Sequence, residues 1–596
     1  MTVYERSELE ERYTWDLSSM FESDEAFLKS LEQAKRYPER FSALQGTLGT
    51  AQGLLAFLQL DDECDVALGR LSNYAGRKSD EDTRNATYQD YQMQVSSLVV
   101  DVMASYAWFK GEVLALGQPE VRAFLEEEPA LQLYERVLDR IFAAAPHTLS
   151  PAEERLLAAA GDMADAPENI FSLLNDADLA FPSAADSKGE THVVTHGSYM
   201  PLLMSYDRTL RKNAYESLYG VYGQFKNTCA ATLAAQAKQQ KFFACARSYE
   251  STLHAALDAT EVPVEVYTNL IAAVRKGLPQ LHRYTALRKK LLGVESLHFY
   301  DLYVPMVEGF QMSFTYEEAC ETILAALEPM GPEYLAIVRR GLESRWVDVY
   351  ETPGKRSGAY SAGGFGMQPV ILMNFQGTLD DVFTLIHEMG HSVHTYLSCT
   401  SQPARYSNYV IFVAEVASTC NEALLMQHLL KKAKSAPERA YLLNHFLEQF
   451  RATLYRQTMF AEFELQVNQL AEQGAGITAD DLCKRYAQLN RDYFGSAIQV
   501  DSQIALEWAR IPHFYYRYYV YQYATGYAAA IALSNRILAQ GKSAVEDYLG
   551  FLRGGNSKPP IDLLRGAGVD MATTAPVESA IALFGRLIDE METLLG

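Results

Sequence analysis

Apolar positions along this chain recur mostly at helical spacing. Residues 15 to about 190 place them three and four apart, which predicts successive amphipathic helices, for example over 83–113 and 151–162, with Asp24, Ser150 and Pro151 near helix starts. The period returns over 206–258, where Tyr and Ala alternate with Arg208, Arg211, Lys212, Lys238, Lys241 and Arg247, a basic set read as a solvated face. Two stretches break it. T-H-V-V-T-H-G-S-Y-M at 191–200 reads as a polar hairpin in which His192 and His196 have no acidic partner nearby. Residues 351–369 hold too much Gly and Pro for a helix, and the apolar run V-I-L-M-N-F-Q-G that follows has the length of a strand. A helix then begins at Thr378, which pairs with Asp381 as an N-cap, and Val382, Phe383, Leu385, Ile386, Met389 and Val393 give it an apolar surface.

That helix carries H-E-x-x-H as His387, Glu388, Met389, Gly390 and His391. Residues four apart share a helix face, so both imidazoles can reach one metal ion, and Glu388, one step round, can take a proton from water. A buried helix whose histidines only hydrogen-bond is the alternative. A catalytic zinc needs a third protein donor. Position 397 is Leu, so the extended motif with a third His is absent; the first acidic residue after the motif is Glu415, in F-V-A-E-V-A-S-T-C-N-E. Glu422, two turns further on, suits a role orienting His387 or His391, or is a surface carboxylate. His394 shares the motif face, but a straight helix spreads three such donors over about 10 Å of rise, which favours a flanking role over coordination.

Net charge is −23 and the pI about 5.0, which argues against a nucleic-acid partner. The N-terminus has no apolar signal region and no 18-residue apolar run occurs, so neither export nor membrane insertion is expected and a cytoplasmic location is. Seven Cys without C-x-x-C suit reduced thiols, with Cys399 and Cys420 read as packing residues. No linker or repeat divides the chain, and the expected organisation is an N-terminal helical region, 1–190, before a catalytic domain, 191–596. Gly363, Gly364, Phe365 and Gly366 form a loop that can approach substrate closely or move, and the strand after it is placed to lie beside an extended peptide. In 510–527, His513, Tyr516, Tyr519, Tyr523 and Tyr527 make one stripe at helical spacing, which packing alone would also explain.

The segments H-E-M-G-H-S-V-H, A-E-V-A-S-T-C-N-E, I-P-H-F-Y-Y-R-Y-Y-V-Y-Q-Y-A-T-G, the early W-D-L-S-S-M-F and the late G-G-N-S-K-P-P-I-D-L-L-R-G-A-G-V-D-M, in that combination, resemble the thimet-type oligopeptidase family of zinc metallopeptidases, in particular its oligoendopeptidase F branch. The resemblance spans nearly the whole chain. It implies a mainly α fold, a large helical body enclosing a deep cleft with a small sheet beside the metal helix. It also implies one zinc ion per chain, short peptides as substrates, and cleavage of internal bonds in flexible peptides rather than in folded proteins. For His513 it implies assistance to the transition state, with Tyr516, Tyr519 and Tyr523 as candidate helpers. A zinc carboxypeptidase or dipeptidase shares the chemistry and stays open, as does a non-catalytic peptide-binding scaffold, although retention of Glu388 and Glu415 speaks against the latter. Oligomeric state is not legible.

Overall fold

The computed structural model describes residues 4–308 and 310–595, and the architecture is mainly α, with sheets of only two or three strands. The chain forms two compact units, each built from three pieces: one takes the chain to Pro151, Met312–His428 and Leu533–Gly568; the other takes Ala152–Gln311, Leu429–Ala532 and the residues from Val569 on. Among the described residues no helix is long and apolar enough to cross a membrane.

In the first unit, α1 (Asp24–Ala34), α2 (Ala51–Glu81) and α3 (Ala86–Ser105) start where Ser23, Thr50 and Asn85 accept backbone N–H groups of the first turn. The helix expected to run to 113 ends at Ser105 because the Trp108 indole takes the Ser105 carbonyl, and Phe109 N–H turns back to Tyr106. Their apolar faces, including Phe27, Leu31, Leu54, Phe57, Leu71 and Leu98, share one core with Val370 and Leu372. Those two belong to a three-stranded sheet of β1 (Val347–Asp348), β2 (Tyr360–Ala362) and β3 (Val370–Leu372), in the order β1-β3-β2, with β1 parallel and β2 antiparallel to β3. This corrects the role expected for the apolar run. β3 is central, fully buried and paired on both sides, so no peptide can lie along it; the outer strands are β1 and β2. Burial, rather than substrate, explains its unbroken Val-Ile-Leu. The loop between β1 and β2 is tied down by Asp348, a buried carboxylate that takes Arg6 and, at 2.7 Å, Lys355.

The second unit is a helical assembly whose longest helix, Arg208–Ala246, packs on Arg456–Glu472 and Ala479–Phe494, which in turn pack on Val264–Leu291. The helix expected over 206–258 stops at Ala246, and left-handed Ser248 turns the chain before a new helix capped by Ser251. The hairpin expected at 191–200 is displaced. Only Thr191–His192 is strand, paired with Ala184–Ala185, and Thr195 caps a helix over His196–Met204. His192 also has the acidic neighbour it was expected to lack, with Nε2 3.2 Å from Asp186 Oδ2, while His196 Nε2 lies 2.8 Å from the Asn175 carbonyl. Folding back of the chain at 186–190 creates the first pair, six residues apart in sequence.

Candidate metal centre

The motif occupies α4 (Leu379–Ser401), which begins where expected: the Thr378 hydroxyl accepts the Asp381 N–H and the Asp381 carboxylate accepts from Thr378. Val382, Phe383, Leu385, Ile386, Met389 and Val393 are all buried. The helix lies against α5 (Ile411–Lys432), and the two backbones approach so closely at Gly390 that a Cβ there would sit 2.6 Å from Ser418 Cα. No other residue fits without separating the helices. Asn421 strengthens the contact by donating to the Ile386 carbonyl at 3.3 Å and accepting from the Tyr334 hydroxyl at 2.8 Å.

This approach brings Glu415 and Glu422 of α5 to the motif. His387 Nδ1 is 2.5 Å from Glu422 Oε1, which fixes that nitrogen as the donor and leaves Nε2 to face His391 and Glu415. His387 Nε2 and His391 Nε2 are 3.2 Å apart, and Glu415 Oε2 lies 3.3 and 3.7 Å from them. A tetrahedral ion with bonds of about 2.0–2.2 Å sets its donor atoms roughly 3.3–3.6 Å apart, so these three could hold one. The donor chemistry agrees. Two imidazole nitrogens and a carboxylate oxygen converging at these distances need a positive centre, a proton or a metal ion, between them, and with the His387 Nδ1 proton turned to Glu422 the set suits a metal. The Ala414 carbonyl bonds the His391 ring, and the Ser418 hydroxyl supports Glu415 Oε2 at 3.3 Å.

Glu388 does not join the three donors. It is buried, and burial, with the charge of Glu415 adding, pushes its carboxyl up to about 7, while His387 and the Ser361 backbone N–H oppose the rise. A carboxylate poised there takes and returns a proton readily near neutrality. Ser361 belongs to edge strand β2, and its hydroxyl lies 2.8 Å from that of Ser392 on α4. For Glu415, burial raises the pKa, but the hydrogen bond to His387 and the charges of both histidines outweigh it and lower the value.

His394 is not among the donors that converge. It is buried and stacked on Tyr409, ring centroids 3.7 Å apart, with Phe551 behind it, and burial lowers its pKa to about 3. Gly363, Gly364, Phe365 and Gly366 form the turn joining β2 to β3. Gly366 there has φ +72°, and a Cβ on Gly363 would lie 3.2 Å from Thr395 Cγ2 of α4. Cys420 is fully buried and Cys399 half-buried, and both are free thiols.

His513, Tyr516, Tyr519 and Tyr523 lie in the second unit, and the helical stripe expected for them does not form. The chain runs through a 3₁₀ turn, Pro512–Tyr515, and then two left-handed residues, Arg517 and Tyr518, before a helix starts at Tyr521. That kink gathers the three tyrosine rings 5.6–6.0 Å from His513, with the Tyr523 hydroxyl 3.4 Å from His513 Nε2; Tyr527 instead packs on Phe450. Burial and Arg456 lower the His513 pKa. The buried Glu464 carboxylate accepts the Tyr518 N–H at 2.6 Å and so holds the kink.

The Peptidase family M3 profile matches residues 202–583, and the profile described as Oligopeptidase F matches 112–181. The chain belongs to peptidase family M3. It is similar to oligopeptidase PepF of Bacillus subtilis, 46% identical over 592 residues, 99% of this chain and 88% of that protein. Among solved structures, a Chlamydophila abortus chain aligns over 100% of both chains with a TM-score of 0.93 at 35% identity. Oligoendopeptidase-F from Enterococcus faecium aligns over 97% of this chain and 99% of its own, with a TM-score of 0.75 at 39% identity. This M3 enzyme is accordingly a metallo-oligopeptidase, and its His387, His391 and Glu415 form a group that could bind the metal. Sequence reasoning missed Gly390, Asn421, Ser361 and Glu464. Only Gly390 left a signal, since glycine inside a helix costs about 1 kcal/mol relative to alanine and asks for a packing reason.

Proposed function

We propose that the chain is a zinc-dependent endopeptidase that hydrolyses internal bonds of short, unstructured peptides. The observation that carries the metal assignment is the convergence of His387 Nε2, His391 Nε2 and Glu415 Oε2 at 3.2–3.7 Å, with Glu388 beside them but outside the set. A zinc ion held by the three supplies Lewis acidity toward the scissile carbonyl and the attacking water. Glu388 takes the water proton and later delivers it to the leaving amine. Glu422 keeps the His387 ring in the tautomer and orientation that point Nε2 at the site. β2, with one side unpaired in its sheet and the Ser361 N–H near Glu388, is the strand that an extended substrate backbone can join. The turn at Gly363, Gly364, Phe365 and Gly366 then borders the bound chain. His513, with Tyr516, Tyr519 or Tyr523, takes from the family resemblance the part of hydrogen-bond donor to the developing oxyanion.

Support for oligopeptides as substrates comes from the relatives, which are called oligopeptidases and oligoendopeptidases. The deciding experiment measures metal content together with cleavage of an internally quenched peptide blocked at both ends. Expected are about one zinc per chain and internal products by mass spectrometry. No cleavage of the blocked peptide, with release of terminal residues from the free one, would replace the endopeptidase by a carboxypeptidase or dipeptidase.

A further inference from the structure

The second unit contains a small cavity walled in part by Tyr199, Tyr219, Tyr303, Arg451, Arg456 and Arg510, with room for roughly one or two water-sized species. The charged cluster on and behind its wall does not balance. Glu448 is shared by Arg451 at 2.7 Å and Arg288 at 2.9 Å, and Glu507 by Arg456 at 2.6 Å and Arg510 at 3.8 Å. Four guanidinium groups thus face two carboxylates, a surplus of two positive charges inside a chain whose net charge is −23. Asp301, whose backbone carbonyl accepts from Arg288, offers no relief, its carboxylate being held by Arg208 and Arg211 at 2.9 and 2.7 Å. Arginine does not shed its proton, and Arg288 and Arg451 are 0% and 2% exposed, so solvent does not screen them. Buried charge of one sign requires a partner of the other.

Arg451 shows where that partner belongs. Its Nε and Nη2 both donate to Glu448 Oε2, at 3.0 and 2.7 Å, while buried Nη1 has no hydrogen-bond partner among the described residues. The residue sits in a π-helical turn, Phe450–Tyr455, inserted between the helices Ala436–Gln449 and Arg456–Glu472. Such turns recur at functional sites because the inserted residue re-aims a side chain. We propose that this cavity is a binding site for a single small monovalent inorganic anion, chloride, which takes the Arg451 Nη1 hydrogen bond and offsets the surplus guanidinium charge. Space of about one or two waters suits a halide better than a larger oxyanion, and the tyrosine hydroxyls on the wall can add neutral donors.

The test follows thermal unfolding of the full chain while chloride replaces gluconate at constant ionic strength. The melting temperature rises along a saturating curve with chloride and with bromide, and sulfate does not reproduce the rise. In Arg451→Lys, which keeps the charge and the reach to Glu448 but lacks the second arm, the half-saturating concentration increases about tenfold. Crystals soaked in bromide show an anomalous peak at hydrogen-bonding distance from Arg451 Nη1. Equal melting temperatures in chloride and gluconate overturn the proposal, as does the absence of that peak at saturating bromide, which decides the matter even if the variant fails to fold.

Discussion

His387 and Glu422 meet across 2.5 Å, Nδ1 to Oε1, although 35 residues separate them in the chain. The contact spends the proton of one ring nitrogen on α5 so that the other faces Glu415 and His391. Glu422→Gln keeps the shape but weakens the acceptor, and metal affinity is expected to fall about 10–100-fold. Competition with a chelator of known strength measures it. Unchanged affinity would mean that the pair does not orient a ligand.

Glu388→Gln retains metal and loses turnover by about 10²–10⁴-fold, because the amide keeps the size of the side chain without its basicity. Metal analysis beside steady-state kinetics separates the two effects. Turnover near that of the parent enzyme would remove Glu388 from proton transfer.

Glu415→Ala is expected to lower metal occupancy far more than His394→Ala, since Glu415 Oε2 converges with both Nε2 atoms and His394 is stacked on Tyr409. The reverse order, read by elemental analysis after dialysis, would make His394 the ligand.

Gly390→Ala puts a Cβ 2.6 Å from Ser418 Cα, where backbone rather than a flexible side chain must yield. Overpacking of this kind costs typically 1–3 kcal/mol. Because α5 carries both Glu415 and Glu422, metal affinity should drop together with the unfolding midpoint. A stability loss with normal metal affinity would show that the helices separate without disturbing the donors.

Burial raises the Glu464 carboxyl to about 8, with the Tyr518 N–H opposing the rise. A carboxyl whose folded pKa lies above its unfolded value, about 4.3, contributes its full stability below the unfolded pKa and loses it as pH rises through the folded one. Between pH 5 and 8 it should therefore subtract up to about 1.4 kcal/mol of stability per pH unit, and Glu464→Gln should flatten that slope. Denaturant unfolding of both proteins across this range is the check, and identical slopes would show that Glu464 does not titrate there.

The motif helix was legible down to its cap, because Thr378, Asp381, the apolar stripe and the i, i+4 histidines are all local and the helix period makes them neighbours whatever the rest of the chain does. The third donor could be ranked by order along the chain, but its distance to the histidines is set by how closely α4 and α5 approach at Gly390, a property of two helices and not of either one. The apolar run 370–372 announced a strand and concealed its place, since composition reports burial on both faces while its pairing partners at 347–348 and 360–362 are chosen by the fold. At 510–527 the sequence supplied the residues and the wrong period. Left-handed Arg517 and Tyr518, which no local propensity favours, are held by Glu464, 54 residues away, and by Thr252 at the Tyr518 hydroxyl, and such long-range hydrogen bonds let His513, Tyr516, Tyr519 and Tyr523 gather by a kink instead of along a helix.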